Sequence, residues 1–259
     1  MSRAVETPTL GPRPVRRRRR RGALAVKRLL DLAGASVMLV VLSPLMAAIA
    51  VAILASSGRP VLFRQVRVGQ DGRLFTMLKF RTMVCGAEHH QPALLDRNER
   101  LGPLFKMADD PRVTRIGRWL RHSSLDELPQ LLNVIAGDMS LVGPRPALPA
   151  EDAQFPAQLH RRVEMPQGIT GLWQLDGRND ADFGKYTELD LRYVEQWSLA
   201  LDLQILARTP HVVWRQMRAR ADEAPDVVDL TDPANTGDAD PTRTDGPAAT
   251  FAAEPSSLT

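Results

Sequence analysis

The most conspicuous pattern along the chain is a long apolar run near its start. Residues 32–57 contain no charged side chain, and 24 of them, 32–55, read as one hydrophobic segment. A straight helix of that length is about 36 Å long, enough to cross a hydrocarbon core of about 30 Å. A secretory signal fits less well, because its apolar region is shorter, roughly 7–15 residues. Ser43-Pro44 divides the run into two stretches of 12 residues each. Proline removes one helical hydrogen bond and crowds the preceding turn. Each half spans about 18 Å, or one leaflet.

Beyond this run the pattern becomes that of a globular body. Alternation over 60–68 and 74–80 predicts two strands, with Gly69-Gln70-Asp71-Gly72 as the turn of a β-hairpin. Residues 86–103 are polar and loop-like, with room for one helical turn. A basic amphipathic helix is predicted over 113–122 and another helix over 125–136, where Ser124 and Glu127 fit a capping box and Pro129 suits a first turn. Residues 137–146 and 166–178 read as loops. Residues 183–197 and 199–218 carry helical periodicity, the second interrupted near Pro210. Trp197 and Trp214 allow that last helix to lie in a membrane interface, although an ordinary core-facing helix has the same pattern. The predicted class is α+β, mostly helical.

Charge changes the picture of the two ends. The formal net charge of +4 conceals ten basic residues and one acid in 1–28, and nine acids and one base in 222–259. The acidic end, rich in Pro, Ala and Thr, reads as a disordered tail from 219. The prolines at 8, 12 and 14 make residues 1–24 a flexible basic arm. Its six arginines, Arg16 to Arg21, suit an anionic lipid surface, a nucleic acid or a merely solvated tail. The adjoining apolar run favours lipid. The run is also flanked by basic residues on its far side: Arg59, Arg64, Arg67, Arg73, Lys79 and Arg81 against Asp71. The positive-inside rule would keep both flanks in the cytoplasm. A re-entrant hairpin over 25–58, bent at Ser43-Pro44, satisfies it; a proline-kinked span is the alternative. Lys27, Arg28 and Asp31 sit at its mouth, spaced to share a helix face, where they bind a lipid phosphate or anchor the helix end. The body is then 59–218.

A single cysteine, Cys85, excludes a disulfide framework or a cysteine-rich zinc fold. No Walker loop, G-x-G-x-x-G or G-x-S-x-G is present, and the five histidines have no metal-ligand spacing. What remains is an acidic pair, Asp126 and Glu127, among Arg112, Arg115, Arg118, Arg121, His122 and Arg145. A solvated surface pair has the same appearance. Among arginines, however, a carboxylate can serve as a covalent nucleophile toward phosphorus while guanidinium forks hold phosphate oxygens.

The segments KRLLD (27–31), Ser43-Pro44, KFRTM (79–83), SSLDELPQL (123–131), GDMSLVGPRP (137–146), GITGLWQ with GR (168–178) and LDLRYVEQWSLALDLQIL (189–206) together resemble the bacterial sugar transferase family, the monotopic polyprenyl-phosphate phosphoglycosyl transferases. The likeness runs from about residue 25 to 217. It implies a re-entrant helix holding a small cytoplasmic catalytic domain at the inner membrane. It also implies transfer of a sugar-1-phosphate from a UDP-sugar to polyprenyl phosphate, releasing UMP.

By that resemblance Asp126 is the nucleophile and Glu127 assists proton transfer. Mg²⁺ sits beside the dyad, with Asp126 among its ligands. Arg145, between Pro144 and Pro146, together with Arg121, Lys79 and Arg81, lines the donor site. Lys27, Arg28 and Asp31 lie near the lipid phosphate. Membrane lipid is a further partner, nucleic acid is disfavoured and a homodimer is left open. One departure stands out: the family often has Pro-Gly before Ile-Thr-Gly, whereas Gln167 intervenes here between Pro166 and Gly168.

Overall fold

One long helix opens the described part of the chain. In the computed structural model, α1 spans Pro14–Ser57. The structure describes residues 14–90, 92–99, 102–177 and 182–222, with side chains at 14–21, 216 and 219–222 excepted. The first thirteen residues of the basic arm, Arg178 of the GR motif and the acidic tail from 223 lie outside the described residues.

The part of α1 from Gly22 to Ser57 is long and apolar enough to cross a membrane, and most of it is not covered by the rest of the protein. Val37, Val40, Val41 and Val51 are among its exposed side chains. The residues it does bury or half-bury against the body form one stripe at helical spacing: Leu24, Lys27, Asp31, Ala35 and Leu39, then Met46, Ile49 and Ile53. Leu24, Ala35 and Leu39 of the first group join the main core, and the second group joins a smaller cluster with Phe80 and Leu120. Both halves of α1 therefore pack on the same body.

At the expected break the helix continues through Pro44. Proline leaves the carbonyl four residues back, that of Val40, without its backbone donor. The Ser43 hydroxyl donates to that oxygen at 2.8 Å, so the hydrogen bond is replaced from the side chain. Where the hydrophobic stretch ends, Gly58 takes a positive φ of 72° and the chain turns into the sheet.

The β-hairpin forms as the alternation predicts. β1 (Leu62–Val68) pairs antiparallel with β2 (Leu74–Phe80), Leu62 opposite Phe80 and Val68 opposite Leu74. Its connection is a 3₁₀ turn at Gln70–Gly72, with Asp71 and Gly72 both at positive φ. Then come α2 (Arg115–Ser123), a 3₁₀ turn at Leu125–Glu127, α3 (Gln130–Ala136), β3 (Ser140–Val142) and a short α4 (Pro149–Asp152). β4 (Gly168–Thr170), α5 (Leu172–Asp176), α6 (Phe183–Gln196) and α7 (Leu199–Asp222) complete the body. Pro210 lies inside α7 without ending it. The class is α+β and mostly helical.

β3 and β4 form a parallel pair inside what the sequence shows only as loops. Their close approach depends on small residues: a Cβ at Gly143 would collide with the Pro166 carbonyl. Gln167 is fully buried, and its amide donates to the carbonyls of Arg162 (3.2 Å) and Met165 (3.0 Å). The extra residue thus ties its own loop together. Trp173 and Tyr186 meet edge-to-face at 4.8 Å in the main core, with Leu131, Val134, Leu159 and Met165 around them.

Candidate active site

The acidic pair sits on a reversal of the chain. α2 closes with Ser124 at φ 57°, in the left-handed region, its N–H bonded to the Arg121 and Leu120 carbonyls. The same residue therefore makes no side-chain cap for the 3₁₀ turn at Leu125–Glu127, which corrects the expected capping box. An N-cap needs extended backbone, and Ser124 is already committed to a C-cap. The predicted helix over 125–136 resolves into the 3₁₀ turn holding Asp126 and Glu127, then Pro129, then α3. Leu125 and Leu128 anchor this turn in the cluster with Ile49, Ile53, Phe80 and Leu120, next to the second half of α1.

Asp126 is buried and Glu127 half-buried. Lys79, at the end of β2, reaches across to Glu127 with Nζ 2.8 Å from Oε1. Arg121, from α2, donates its Nε to Thr82 Oγ1 at 2.9 Å. Burial pushes the Arg121 guanidinium below its ordinary range, and the carboxylates of Asp126 and Asp110 work against that. α2 comes this close because Gly117 has no side chain, since a Cβ there would strike the Thr82 carbonyl. Thr82 is thus a positioning residue that sequence reading passes over, though it stands in the KFRTM segment.

Arg145 comes after β3 between Pro144 and Pro146, with its side chain about one-third exposed and Nη1 3.3 Å from Glu151 Oε2. It lies within electrostatic reach of Glu127, as does Arg67 of β1. Asp126, Glu127, Lys79, Arg121 and the Pro-Arg-Pro segment therefore share one region.

Other expected site residues are drawn elsewhere. Arg81 spends its guanidinium on the end of α1: Nη2 donates to the Ser57 and Gly58 carbonyls, both at 2.7 Å, and Nη1 to the Arg59 carbonyl at 3.1 Å. It is a C-terminal cap, favoured by the negative end of the helix dipole, rather than a donor-binding group. Arg28 likewise caps α3 by donating to the Val134 and Ile135 carbonyls. Lys27 is buried, with Nζ donating to Val142 O at 2.9 Å and to Asp202 Oδ2 at 2.7 Å, and Asp31 Oδ2 stands 3.7 Å away. Asp31 accepts from the Ser140 hydroxyl and the Leu141 N–H. Tyr193 and Trp197 donate to Asp202 at 2.8 and 3.1 Å. Lys27 and Asp31 are engaged inside the protein, as the anchoring alternative has it, while Arg28 is half-buried with two of its N–H groups on α3 carbonyls.

For Mg²⁺, no group of three or more His, Cys, Asp or Glu side chains gathers among the described residues. That excludes a cage made of those residues alone but not the usual arrangement for this ion, which takes one or two carboxylates plus substrate phosphates and water. Asp126 and Glu127 fit that arrangement. Asp110 is already gripped by Arg112 through both oxygens, at 2.9 and 2.6 Å.

A family model described as "Bacterial sugar transferase" matches residues 22–216. The chain is 43% identical over 191 residues to a galactosyl transferase, CpsE, of Streptococcus agalactiae, covering 73% of this chain and 42% of that one. It is 39% identical over 202 residues to the undecaprenyl-phosphate galactose phosphotransferase of Salmonella typhimurium, covering 76% and 42%. Against the exopolysaccharide production protein ExoY of Rhizobium meliloti the figures are 40% over 191 residues, covering 71% and 83%. The chain thus spans about two-fifths of the length of the first two relatives and most of the third. The matched region contains α1 from Gly22 onward, the acidic turn and the Pro-Arg-Pro segment, and the chain belongs to the bacterial sugar transferase family.

Proposed function

We propose that this protein transfers a sugar-1-phosphate from a UDP-sugar to polyprenyl phosphate at the cytoplasmic face of a membrane. The observation that carries the reading is the Asp126-Glu127 turn, set between Lys79 and Arg121 and packed against a helix whose outer surface is apolar. The names of relatives support the substrate class, among them a UDP-glucose:undecaprenyl-phosphate glucose-1-phosphate transferase of Klebsiella pneumoniae, 38% identical over 194 residues.

In the first step an Asp126 carboxylate oxygen attacks the β-phosphorus of the donor. The bond to the bridging oxygen breaks, UMP leaves, and an aspartyl phosphosugar remains. In the second step an oxygen of polyprenyl phosphate attacks that phosphorus, the aspartyl–phosphorus bond breaks, and Asp126 is restored. Glu127 accepts a proton if the lipid phosphate arrives protonated, and Lys79 holds it in place. Arg145 and Arg121 offset the charge of two anions brought together. Mg²⁺ held by Asp126 and the donor diphosphate would supply further charge neutralisation.

The re-entrant topology is part of the same proposal. Both flanks of the apolar run are basic, and both halves of α1 pack on one body. A helix that crossed the bilayer would separate those contacts. Labelling of residues 1–20 from outside intact cells would overturn it.

The deciding experiment is an assay of the full chain in nanodiscs with undecaprenyl phosphate, Mg²⁺ and a panel of UDP-sugars. UMP release with a lipid diphosphate-sugar product is expected. Release of UDP would instead mean that the sugar moves without its phosphate.

A further inference from the structure

The Pro-Arg-Pro segment is held by charged groups that the proposed chemistry does not use. Glu151, on α4, has a side chain only 9% exposed. Its Oε2 accepts the Leu148 N–H at 2.8 Å, receives Arg145 Nη1 at 3.3 Å and stands 3.6 Å from Arg67 Nη1. The first of these is the return half of a helix-start cap, in which the third helical residue reaches back. The second and third are ionic. Arg67 also donates to the Pro146 carbonyl at 3.1 Å. Arg162, 1% exposed, donates to the Arg145 carbonyl and lies 3.3 Å from Asp190. The backbone at 145, 146 and 148 is therefore tied down at three points. The only protein group to which the Arg145 head donates, among the described residues, is Glu151.

We infer that Glu151 is a positioning residue for the donor: it fixes the direction of the Arg145 guanidinium, so that the remaining N–H groups meet the anionic donor in one orientation. A free arginine head samples many rotamers, and fixing it beforehand removes that entropic cost from binding. Sharing one carboxylate between two arginines leaves an excess positive charge in the pocket, which suits a diphosphate. Burial pushes the Arg67 guanidinium down to about 10, Arg145 adds to that, and Glu151 opposes it. Glu151 thus offsets part of the repulsion between the two cations. The inference rests on Arg145 as a donor-binding residue, and the test separates the two.

Glu151→Gln keeps an oxygen for the Leu148 cap and removes the charge. Two quantities are read on the full chain in nanodiscs: the Kd of UDP with Mg²⁺ by calorimetry, and steady-state kinetics with UDP-galactose and UDP-glucose. The expected result is a rise in UDP Kd and donor KM of about tenfold, the size of one charged hydrogen bond. The kcat and the KM for undecaprenyl phosphate should stay within about twofold. In an Arg145→Ala background the same substitution should change UDP affinity by less than about twofold, because the two residues act as one unit.

A merely structural Glu151 would lower the active fraction, reducing kcat with unchanged KM, or would act equally in both backgrounds; either result overturns the inference. If Arg145→Ala itself leaves UDP binding unchanged, the reading of Arg145 fails, and this inference with it. If Arg145→Ala weakens binding and Glu151→Gln does not, only the inference fails. Should Glu151→Gln not fold, Glu151→Asp keeps the charge beside Arg67 on a shorter arm. It should raise UDP Kd by a smaller factor, and unchanged affinity there overturns the inference.

Discussion

Two lysine–carboxylate pairs in this protein have nearly the same length and opposite surroundings. Lys27 stands 2.7 Å from Asp202 with both side chains at most 8% exposed, while Lys79 stands 2.8 Å from Glu127 with both at least a quarter exposed. The first pair is enclosed by Val142, Asp31, Tyr193 and Trp197 and is fully engaged. The second opens toward the region shared with Asp126, Arg121 and Arg145. Removing one partner from an enclosed pair strands a charge, whereas an open pair is worth little to stability and can exchange its contacts for a substrate. Burial and engagement, not the presence of charge beside a membrane helix, separate the groups that hold this fold from those that can do chemistry.

The sharpest way to break the comparison is at the acidic turn. Asp126→Asn should lower transfer by about 10⁴-fold or more, as loss of a covalent nucleophile does. Its thermal unfolding should move by only a few degrees. UMP release and a melting curve on the same preparation check both. Substantial turnover by the variant would remove Asp126 from the nucleophile role.

At the enclosed pair the order of effects reverses. Lys27→Met should cost about 3–5 kcal/mol of stability, because Asp202 is left buried without its counter-ion. Lys27→Met with Asp202→Leu should regain most of that. Denaturation in detergent micelles measures it. A raised KM for polyprenyl phosphate with unchanged stability would instead return Lys27 to the lipid site.

The sequence displays one of these environments far better than the other. The hairpin alternation, the apolar run and the acidic pair are local patterns and are legible; β1 and β2 fall within the predicted strands almost residue for residue. Lys27 and Asp202 are separated by 175 positions, and nothing local joins them. β3 and β4 have three residues each, too short for a period of two to show. Ser124 misleads because Ser-x-x-Glu suits a capping box, while the demand of α2 for a left-handed end takes precedence. Glu151 and Arg162 escape a sequence reading because their partners are backbone groups or distant charges. The one signal for Glu151 is its place three residues after Leu148, at a proline-marked helix start.

A smaller effect tests the open pair. Lys79→Met should change stability by no more than about 1 kcal/mol. Transfer should still fall by about tenfold to a hundredfold, since a cation fixed beside Glu127 is lost where charge develops. A stability loss as large as that of Lys27→Met would erase the distinction between the two pairs.

The smallest expected effect concerns a third pair, Asp110 with Arg112, which is buried like the first yet lies near the second through Arg121. Hydrogen bonds from the Arg112 side chain, opposed by burial, hold the Asp110 carboxyl below the usual carboxylate range. The unfolded chain then binds a proton at a higher pH than the folded one. Its stabilisation is complete above the unfolded value near 4 and is lost as the pH falls through the folded value. Asp110→Asn cannot titrate, so the variant should be less stable at neutral pH and show a shallower decline in acid than the parent. Chemical denaturation midpoints at several pH values from neutral down to about 3 give that slope. An identical acid slope in both proteins would mean that Asp110 keeps its ordinary affinity for protons and that the Arg112 grip adds nothing to the fold.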